Sequence, residues 1–213
     1  MKALGMIEVY SFTTALYVAD LAAKSADVKI IAFDRNRPFA PGFPVPLIMV
    51  VKMEGEVAAV EAAVEASVAY AKSKDRYIVH HIIARPAETA EKMAYLLDIN
   101  RDKYNKKLPK SFLGVETPER VATSEESLGI LEIDGLVATI EGLDAMVKAA
   151  DVHLVHSEKR LGGRLVTLVV AGTVSAVTAS VEAGEVAASK LGKVYGKEVI
   201  PNPHAELLKF IDM

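Results

Sequence analysis

The strongest constraint on the fold is that the sequence repeats itself. With an offset of 124 residues, Ala3–Ile30 aligns with Ser127–Leu154. Identical residues coincide at Leu4/Leu128, Gly5/Gly129, Glu8/Glu132, Asp20/Asp144 and Lys24/Lys148. Farther along, an offset of 117 aligns Gly55/Gly172, Val60/Val177, Val64/Val181 and Pro86/Pro203. Two colinear blocks separated by one gap indicate a duplication, with seven extra residues in the first copy between Val28 and Gly55.

Hydrophobic periodicity predicts the same elements in both copies. The predicted strands are Leu4–Val9, Val28–Phe33, Leu47–Met53 and Tyr77–Ile83, then Leu128–Ile133, Val152–Ser157, Leu165–Val170 and Val194–Ile200. An Ala-rich helix follows the first strand of each copy, at Thr13–Ser25 and Val137–Ala149. The second helices carry valine stripes, at Val57, Val60, Val64 and Val68, and at Val174, Val177 and Val181. The order β-α-β-β-α-β predicts a ferredoxin-like α/β (α+β) domain with an antiparallel sheet, closed by a short C-terminal helix.

The repeat divides the chain into a first domain at 1–97, a linker at 98–126 and a second domain at 127–213. The linker contains Pro109, Gly114, Pro118 and many charges, and it is long for a connection between domains. Its stretch Arg101–Lys110 holds five Lys or Arg and one Asp. This segment is either a solvated linker or a docking strip for cargo or for a neighbouring copy.

Composition excludes several classes of protein. The chain has no cysteine, which removes disulfides, thiolate zinc sites and iron–sulfur clusters. A net charge of −3 argues against nucleic acid as a partner. No apolar run reaches the ~20 residues of a membrane span, and no secretory signal peptide is expected, so we expect a cytoplasmic protein. The mean hydropathy of +0.24 favours a chain that buries surface against copies of itself.

The histidines do not form a predicted metal or acid–base site. His80 and His81 are adjacent on a predicted strand and therefore point to opposite faces, and His153 and His156 also diverge. Glu8 and Glu132 occupy equivalent places in the two copies, as structural residues of a duplicated fold would. No catalytic motif is present, so we expect no catalytic residue, no metal and no enzyme activity.

Three stretches of the second copy resemble the bacterial microcompartment (BMC) shell domain. They are Ser127–Val155, Glu158–Gly184 and Glu198–Leu208, and the first copy repeats them at Ala3–Ile31, Leu47–Ser67 and Ile82–Glu88. The resemblance implies a tandem member of the unpermuted class, a non-enzymatic shell tile that assembles as a pseudohexameric homotrimer. It also implies other shell proteins as partners at the tile edges, and encapsulated cargo as a further candidate partner.

The resemblance assigns the contacts between tiles. The family uses a lysine at the end of the first helix, matched here by Lys24 and Lys148, and an arginine in an Arg-Pro-His turn, matched by Arg85. The second copy departs from the pattern, with Asn202 in place of the arginine beside Pro203 and His204. Half of the edges are therefore expected to lack the arginine.

The resemblance also places a three-fold pore at the loop between the second and third strands. The expected pore-lining residues are Arg37, Phe39, Ala40, Pro41, Gly42 and Phe43 in the first copy, and Leu161, Gly162, Gly163 and Arg164 in the second. In the propanediol-utilisation iron–sulfur type, a cysteine stands where this chain has Ala40. No cofactor is therefore expected on that pattern, and the loop is interpreted as a narrow metabolite pore, a plug or a pocket for a flat cofactor.

The function predicted from the sequence is thus a shell tile with a pore for metabolite passage. The alternative is a ferredoxin-like module that binds a small molecule or cofactor without lateral assembly, which rests on fold analogy.

Overall fold

The computed structural model describes residues 2–36, 45, 47–86, 122, 125–158 and 165–211. The first copy contains β1 (Ala3–Tyr10), α1 (Phe12–Ser25), β2 (Val28–Asn36), β3 (Ile48–Gly55), α2 (Val57–Ser73) and β4 (Tyr77–Ile83). The second copy contains β5 (Ser127–Asp134), α3 (Leu136–Ala149), β6 (His153–Glu158), β7 (Leu165–Gly172), α4 (Val174–Ala188), β8 (Val194–Ile200) and α5 (Ala205–Ile211). The predicted order of elements is confirmed in both copies.

Each copy forms one antiparallel sheet of four strands. The strand orders are β2-β3-β1-β4 and β6-β7-β5-β8, so the duplicated sequences build the same topology. The register repeats as well, since Glu8 lies opposite Val79 and Glu132 lies opposite Gly196. The predicted α+β, ferredoxin-like fold is therefore confirmed, and equivalent residues can be compared position by position.

Glycines let the second helix of each copy lie directly on its sheet. A Cβ added at Gly5 would approach Val60 Cγ1 to 2.7 Å, and one added at Gly129 would approach Val177 Cγ1 to the same 2.7 Å. Real Cβ contacts are not this short, so the pairing of a strand glycine with a helix valine, repeated in both copies, sets the distance between helix and sheet. The valine stripe is core from its second member onward.

The first valine of each stripe is exposed instead of buried. Val57 is 39% exposed and Val174 is 48% exposed, because each is the first residue of its helix and lies beyond the sheet. Helix α1 lies against α2, and its alanines at positions 15, 19 and 22 are fully buried. The Ala-rich sequence of α1 therefore supplies small side chains to the core.

Some expectations fall outside the described residues. The C-terminal helix of the second copy is α5, but that of the first copy would follow Pro86, in a stretch that the structure does not describe. Most of the predicted linker at 98–126 also lies outside the described ranges. No described helix has both the length and the apolar character needed to cross a membrane.

We expect Gly129→Ala to destabilise the chain by about 1–3 kcal/mol, because the new methyl group overpacks Val177 and Val181. The measurement is the free energy of unfolding in urea. A second change, Val177→Ala, should recover part of this loss, so that the double variant is more stable than the sum of the single effects predicts. Simple additivity would contradict the close approach.

Candidate functional site

The two copies meet where helix α1 begins. Oxygen Oε2 of Glu132, on β5, accepts hydrogen bonds from Ser11 Oγ at 2.8 Å and from the backbone N–H of Phe12 at 2.8 Å. It also accepts from the N–H of Thr13 at 3.1 Å and from Thr13 Oγ1 at 3.2 Å. The first N–H groups of a helix have no partner within the helix, and the helix dipole favours a negative charge there. Glu132 of the second copy therefore caps a helix of the first.

The Glu132 carboxyl group is fully buried at this contact. Burial raises the pKa of Glu132, while the hydrogen bonds from Thr13, Ser11 and Phe12 oppose that rise. Oxygen Oε1 has no hydrogen-bond partner among the described residues. The cap thus combines a costly desolvation of the carboxyl group with four hydrogen-bond donors that offset part of that cost.

A glycine gives the helix room to approach. A Cβ added at Gly196 would lie 3.0 Å from Ser11 Oγ and 3.0 Å from the Cβ of Thr13. Because Gly196 lies opposite Glu132 in the sheet, the strand offers a flat surface beside the carboxylate. A larger residue at this position would push α1 away from its cap.

The other end of α1 is held by the turn after β8. Asp20 Oδ1 accepts from the backbone N–H of His204 at 2.7 Å. Lys24 Nζ lies 2.6 Å from Asp20 Oδ2 and donates to the carbonyl of Pro201 at 2.9 Å. We call the surface from the Glu132 cap to this Asp20 contact the intrachain interface. This interface holds α1 at both of its ends, and between these ends the helix contacts strands β5 and β8 of the second copy.

The surfaces that form the intrachain interface occur a second time in the chain, and there they are uncovered. On α1, Thr13 and Leu16 are each 1% exposed, whereas their equivalents on α3, Val137 and Ile140, are 72% and 60% exposed. Asp144, the equivalent of Asp20, has a side chain that is 51% exposed. Helix α3 therefore presents an apolar face that no described part of the same chain covers.

The uncovered counterpart of Glu132 is Glu8. Its side chain is half-buried on β1, and no hydrogen bond or ion pair to another described residue occupies it. Sequence comparison had marked Glu8 and Glu132 as equivalent but could not show that one of them caps a helix. The N–H donors come from a segment more than a hundred residues away.

The expected tile-edge residues lie at the ends of helices and strands. Arg85 and Asn202 are exposed in the turns after β4 and β8, and Asn202 has a positive φ of 46°. Lys148 is largely exposed and pairs with Asp144 at 2.6 Å.

Two other expected tile-edge residues, Lys24 and His204, are brought together at Asp20 inside one chain, which the sequence did not predict. Their contacts with a neighbouring tile stay a prediction.

The expected pore residues, at 37, 39–43 and 161–164, lie outside the described residues. Within the described ranges, no three potential metal-ligating side chains come together. His80 Nδ1 lies 2.8 Å from the hydroxyl of Tyr77 on the same strand.

A family model described as the BMC domain matches residues 3–86 and again residues 127–203. The chain belongs to the BMC-domain family. Both matched ranges fall within the duplicated copies, so each copy is one BMC domain.

Relatives include proteins with matches over both domains and proteins matched over one. The carboxysome assembly protein CcmO of Synechococcus elongatus is 34% identical over 206 residues, which is 97% of this chain and 67% of that protein. The microcompartment shell protein PduA of Salmonella typhimurium is 48% identical over 87 residues, 41% of this chain and 92% of PduA. The shell protein EutM of Escherichia coli is 50% identical over 82 residues, 38% of this chain and 84% of EutM. The chain is thus homologous to microcompartment shell proteins.

We expect Glu132→Leu to lower the free energy of unfolding by about 2–5 kcal/mol, because buried N–H and hydroxyl donors of α1 lose their acceptor. Glu132→Gln keeps an amide oxygen as acceptor and removes a desolvated charge, so its loss should be clearly smaller. Urea unfolding of the two variants gives the comparison. Equal losses would show that the hydrogen bonds do not carry the contact.

The pKa shift of Glu132 predicts a pH dependence. Because burial raises the pKa above its ordinary value of 4.5, the folded chain binds a proton at higher pH than the unfolded chain does. The stability of the wild type relative to Glu132→Gln should therefore increase as the pH falls through the raised folded pKa, and it should be lost as the pH rises through that pKa. Unfolding both proteins at several pH values measures this difference, and a constant difference would contradict the shift.

Proposed function

We propose that this chain is a structural tile in the shell of a bacterial microcompartment, and that three chains close a ring of six BMC domains. Each chain would supply a domain at 1–97, a linker at 98–126 and a domain at 127–213. The names of PduA and EutM support the shell role, and CcmO supports the tandem arrangement. The proposal includes a cytoplasmic location, a structural role in place of a catalytic one, and other shell proteins as neighbours.

The exposed face of α3 carries the proposal of a ring. Within the chain, α1 of the first domain contacts the sheet of the second, so the contact joins two different surfaces. A contact of this head-to-tail kind leaves one surface of each type free at the two ends of the chain, and repeating it gives a closed ring or a filament. The free ends are the α3 face and the β1/β4 surface beside Glu8.

The composition of the α3 face favours another protein surface as its partner. Val137, Ile140 and Val147 are 72%, 60% and 43% exposed, and they occupy the positions of Thr13, Leu16 and Ala23 on α1. Three large aliphatic side chains along one helix form an apolar patch of the type that marks an interaction site. A second chain offers a matching surface, the β1/β4 surface beside its Glu8. Within one chain, α1 already lies against the equivalent β5/β8 surface beside Glu132.

The number of chains and the pore come from the family resemblance. Six domains around one axis would place two types of loop at the centre, 37–43 and 161–164, and this arrangement would leave a three-fold opening for a metabolite. The tile edges would lie at the other end of each domain, near Lys24, Arg85, Lys148, Asn202 and His204.

We expect the purified protein to have the mass of three chains by light scattering, and to form flat arrays of three-fold discs by electron microscopy. A monomer at all accessible concentrations would refute the ring. Saturable binding of a small molecule by such a monomer would favour the module that binds a ligand without lateral assembly.

Changing Arg85 to Asp should abolish the arrays and leave the trimers intact, because Arg85 is exposed and its fork of donors would face a neighbouring tile. The matched control is Lys190→Asp, an equal charge change at an exposed residue after α4. Electron microscopy and light scattering separate the two levels of assembly. Arrays that survive Arg85→Asp would remove Arg85 from the tile edge.

A further inference from the structure

We infer that Glu8 of one chain caps helix α3 of a second copy, as Glu132 caps α1 within a chain, and that this interchain contact is the weaker of the two. The inference rests on the proposed assembly of several chains. It adds the residues that hold the chains together and the order in which the two contacts break.

The surface around Glu8 repeats the surface around Glu132. In each sheet the glutamate is on the central strand, β1 or β5, and lies opposite a residue of the edge strand, β4 or β8. Those opposing residues are Val79 in the first domain and Gly196 in the second. Glu8 therefore has the same position relative to β4 as Glu132 has relative to β8, the strand beside which α1 begins.

The start of α3 has the backbone that this contact requires. Ser11, which precedes α1, has φ 80° and ψ 137°, and Gly135, which precedes α3, has φ 95° and ψ 134°. The N–H groups of residues 136 and 137 are consequently directed as those of Phe12 and Thr13 are. No side chain of the helix cap itself accepts a hydrogen bond at the start of α3. These donors thus match the carboxylate that Glu8 offers.

The proposed interchain contact differs from the intrachain contact in the sizes of its side chains: it has a larger residue on the strand and a smaller one before the helix. Inside the chain, Gly196 leaves just enough room for Ser11 and Thr13, whose atoms would lie 3.0 Å from an added Cβ. At the free surfaces, Val79 replaces the glycine and Gly135 replaces the serine. The smaller Gly135 would make room for part of the Val79 side chain, while Val137, as large as Thr13, would hold α3 slightly farther from β4 than α1 lies from β8.

The same exchange makes the interchain contact weaker in hydrogen bonding. Glu132 accepts from two N–H groups and two hydroxyls, and the hydroxyls belong to Ser11 and Thr13. Their equivalents, Gly135 and Val137, have no hydroxyl, so Glu8 would receive two N–H donors and an apolar contact from Val137. We expect an assembly to separate between chains before the two domains of a chain come apart.

The far end of α3 supports the same pairing. Lys148 and Asp144 form an ion pair at 2.6 Å, as Lys24 and Asp20 do at 2.6 Å. Inside the chain, Lys24 also donates to the carbonyl of Pro201, whose equivalent is Ala84. Lys148 would therefore reach the Ala84 carbonyl of the second copy.

Cysteine cross-linking tests the geometry directly, because the chain has no cysteine of its own. The test uses the double variant Val79→Cys and Val137→Cys. Positions 79 and 137 are the equivalents of Gly196 and Thr13, which meet inside the chain, so residue 79 of one chain would meet residue 137 of the next. A Cβ added at residue 196 would lie 3.0 Å from the Cβ of Thr13. If the larger Val79 holds α3 slightly farther away, the two Cβ atoms at 79 and 137 reach the ~3.5–4.5 Å separation of a disulfide. We expect oxidation to give covalent species of up to three chains on non-reducing gels.

The matched control is Val79→Cys with Val174→Cys. Val174 is 48% exposed at the start of α4, away from the face of α3, and should give single chains. Wild-type trimers whose Val79/Val137 double variant stays uncross-linked would overturn the inference while the proposed function stands. Absence of any wild-type assembly would overturn the proposed function instead, and covalent species longer than three chains would overturn the closed ring.

Substitution of Glu8 tests the role of the carboxylate. Glu8→Leu should raise the protein concentration at which half of the chains are assembled by about tenfold or more. It should also speed hydrogen exchange at the amides of residues 136 and 137. Glu8→Gln keeps an acceptor and should lie closer to wild type, and Glu61→Leu, at an exposed glutamate on α2, is the control. Unchanged assembly and unchanged exchange in Glu8→Leu would overturn the assignment.

Discussion

The most deeply buried polar contact between the two BMC domains of this chain is made by the carboxylate of Glu132. It accepts four hydrogen bonds from the first residues of α1, and it does so at a position from which water is excluded. A carboxylate without these donors would be too costly to bury, and the helix end without the carboxylate would leave N–H groups unpaired. Each side therefore requires the other, and together with the Asp20 contact at the far end of α1 this pairing fixes how the helix lies on the second domain.

Duplication gives the chain freedom that a single-domain relative does not have. In a ring of identical domains, all contacts have the same sequence, so any change is made everywhere at once. Here the contact inside the chain contains Ser11, Thr13 and Gly196, while the free surfaces carry Gly135, Val137 and Val79 at the equivalent positions. The contact inside the chain is therefore rich in hydrogen bonds, whereas the free helix surface carries exposed apolar side chains.

The fold could be predicted almost completely from the sequence. The bounds of β4 and β8 agree with the prediction residue for residue, and the strand order follows from the β-α-β-β-α-β pattern. The reason is that hydrophobic periodicity and turn residues determine secondary structure over short stretches of chain. The duplication also shows each helix and strand in two different sequences, so that each prediction can be checked against the other copy. Where the valine stripes begin was not predicted, because Val57 and Val174 precede the part of the helix that covers the sheet.

The sequence by itself determined the duplication, the topology and the equivalence of Glu8 with Glu132. Only the tertiary structure decided that Glu132 caps a helix of the other domain and that Glu8 has no such partner within the described part of the chain. The two glutamates stand in nearly identical local sequences, so no local pattern distinguishes them. What distinguishes them is which surface is brought against each one, and that depends on contacts between residues more than a hundred positions apart.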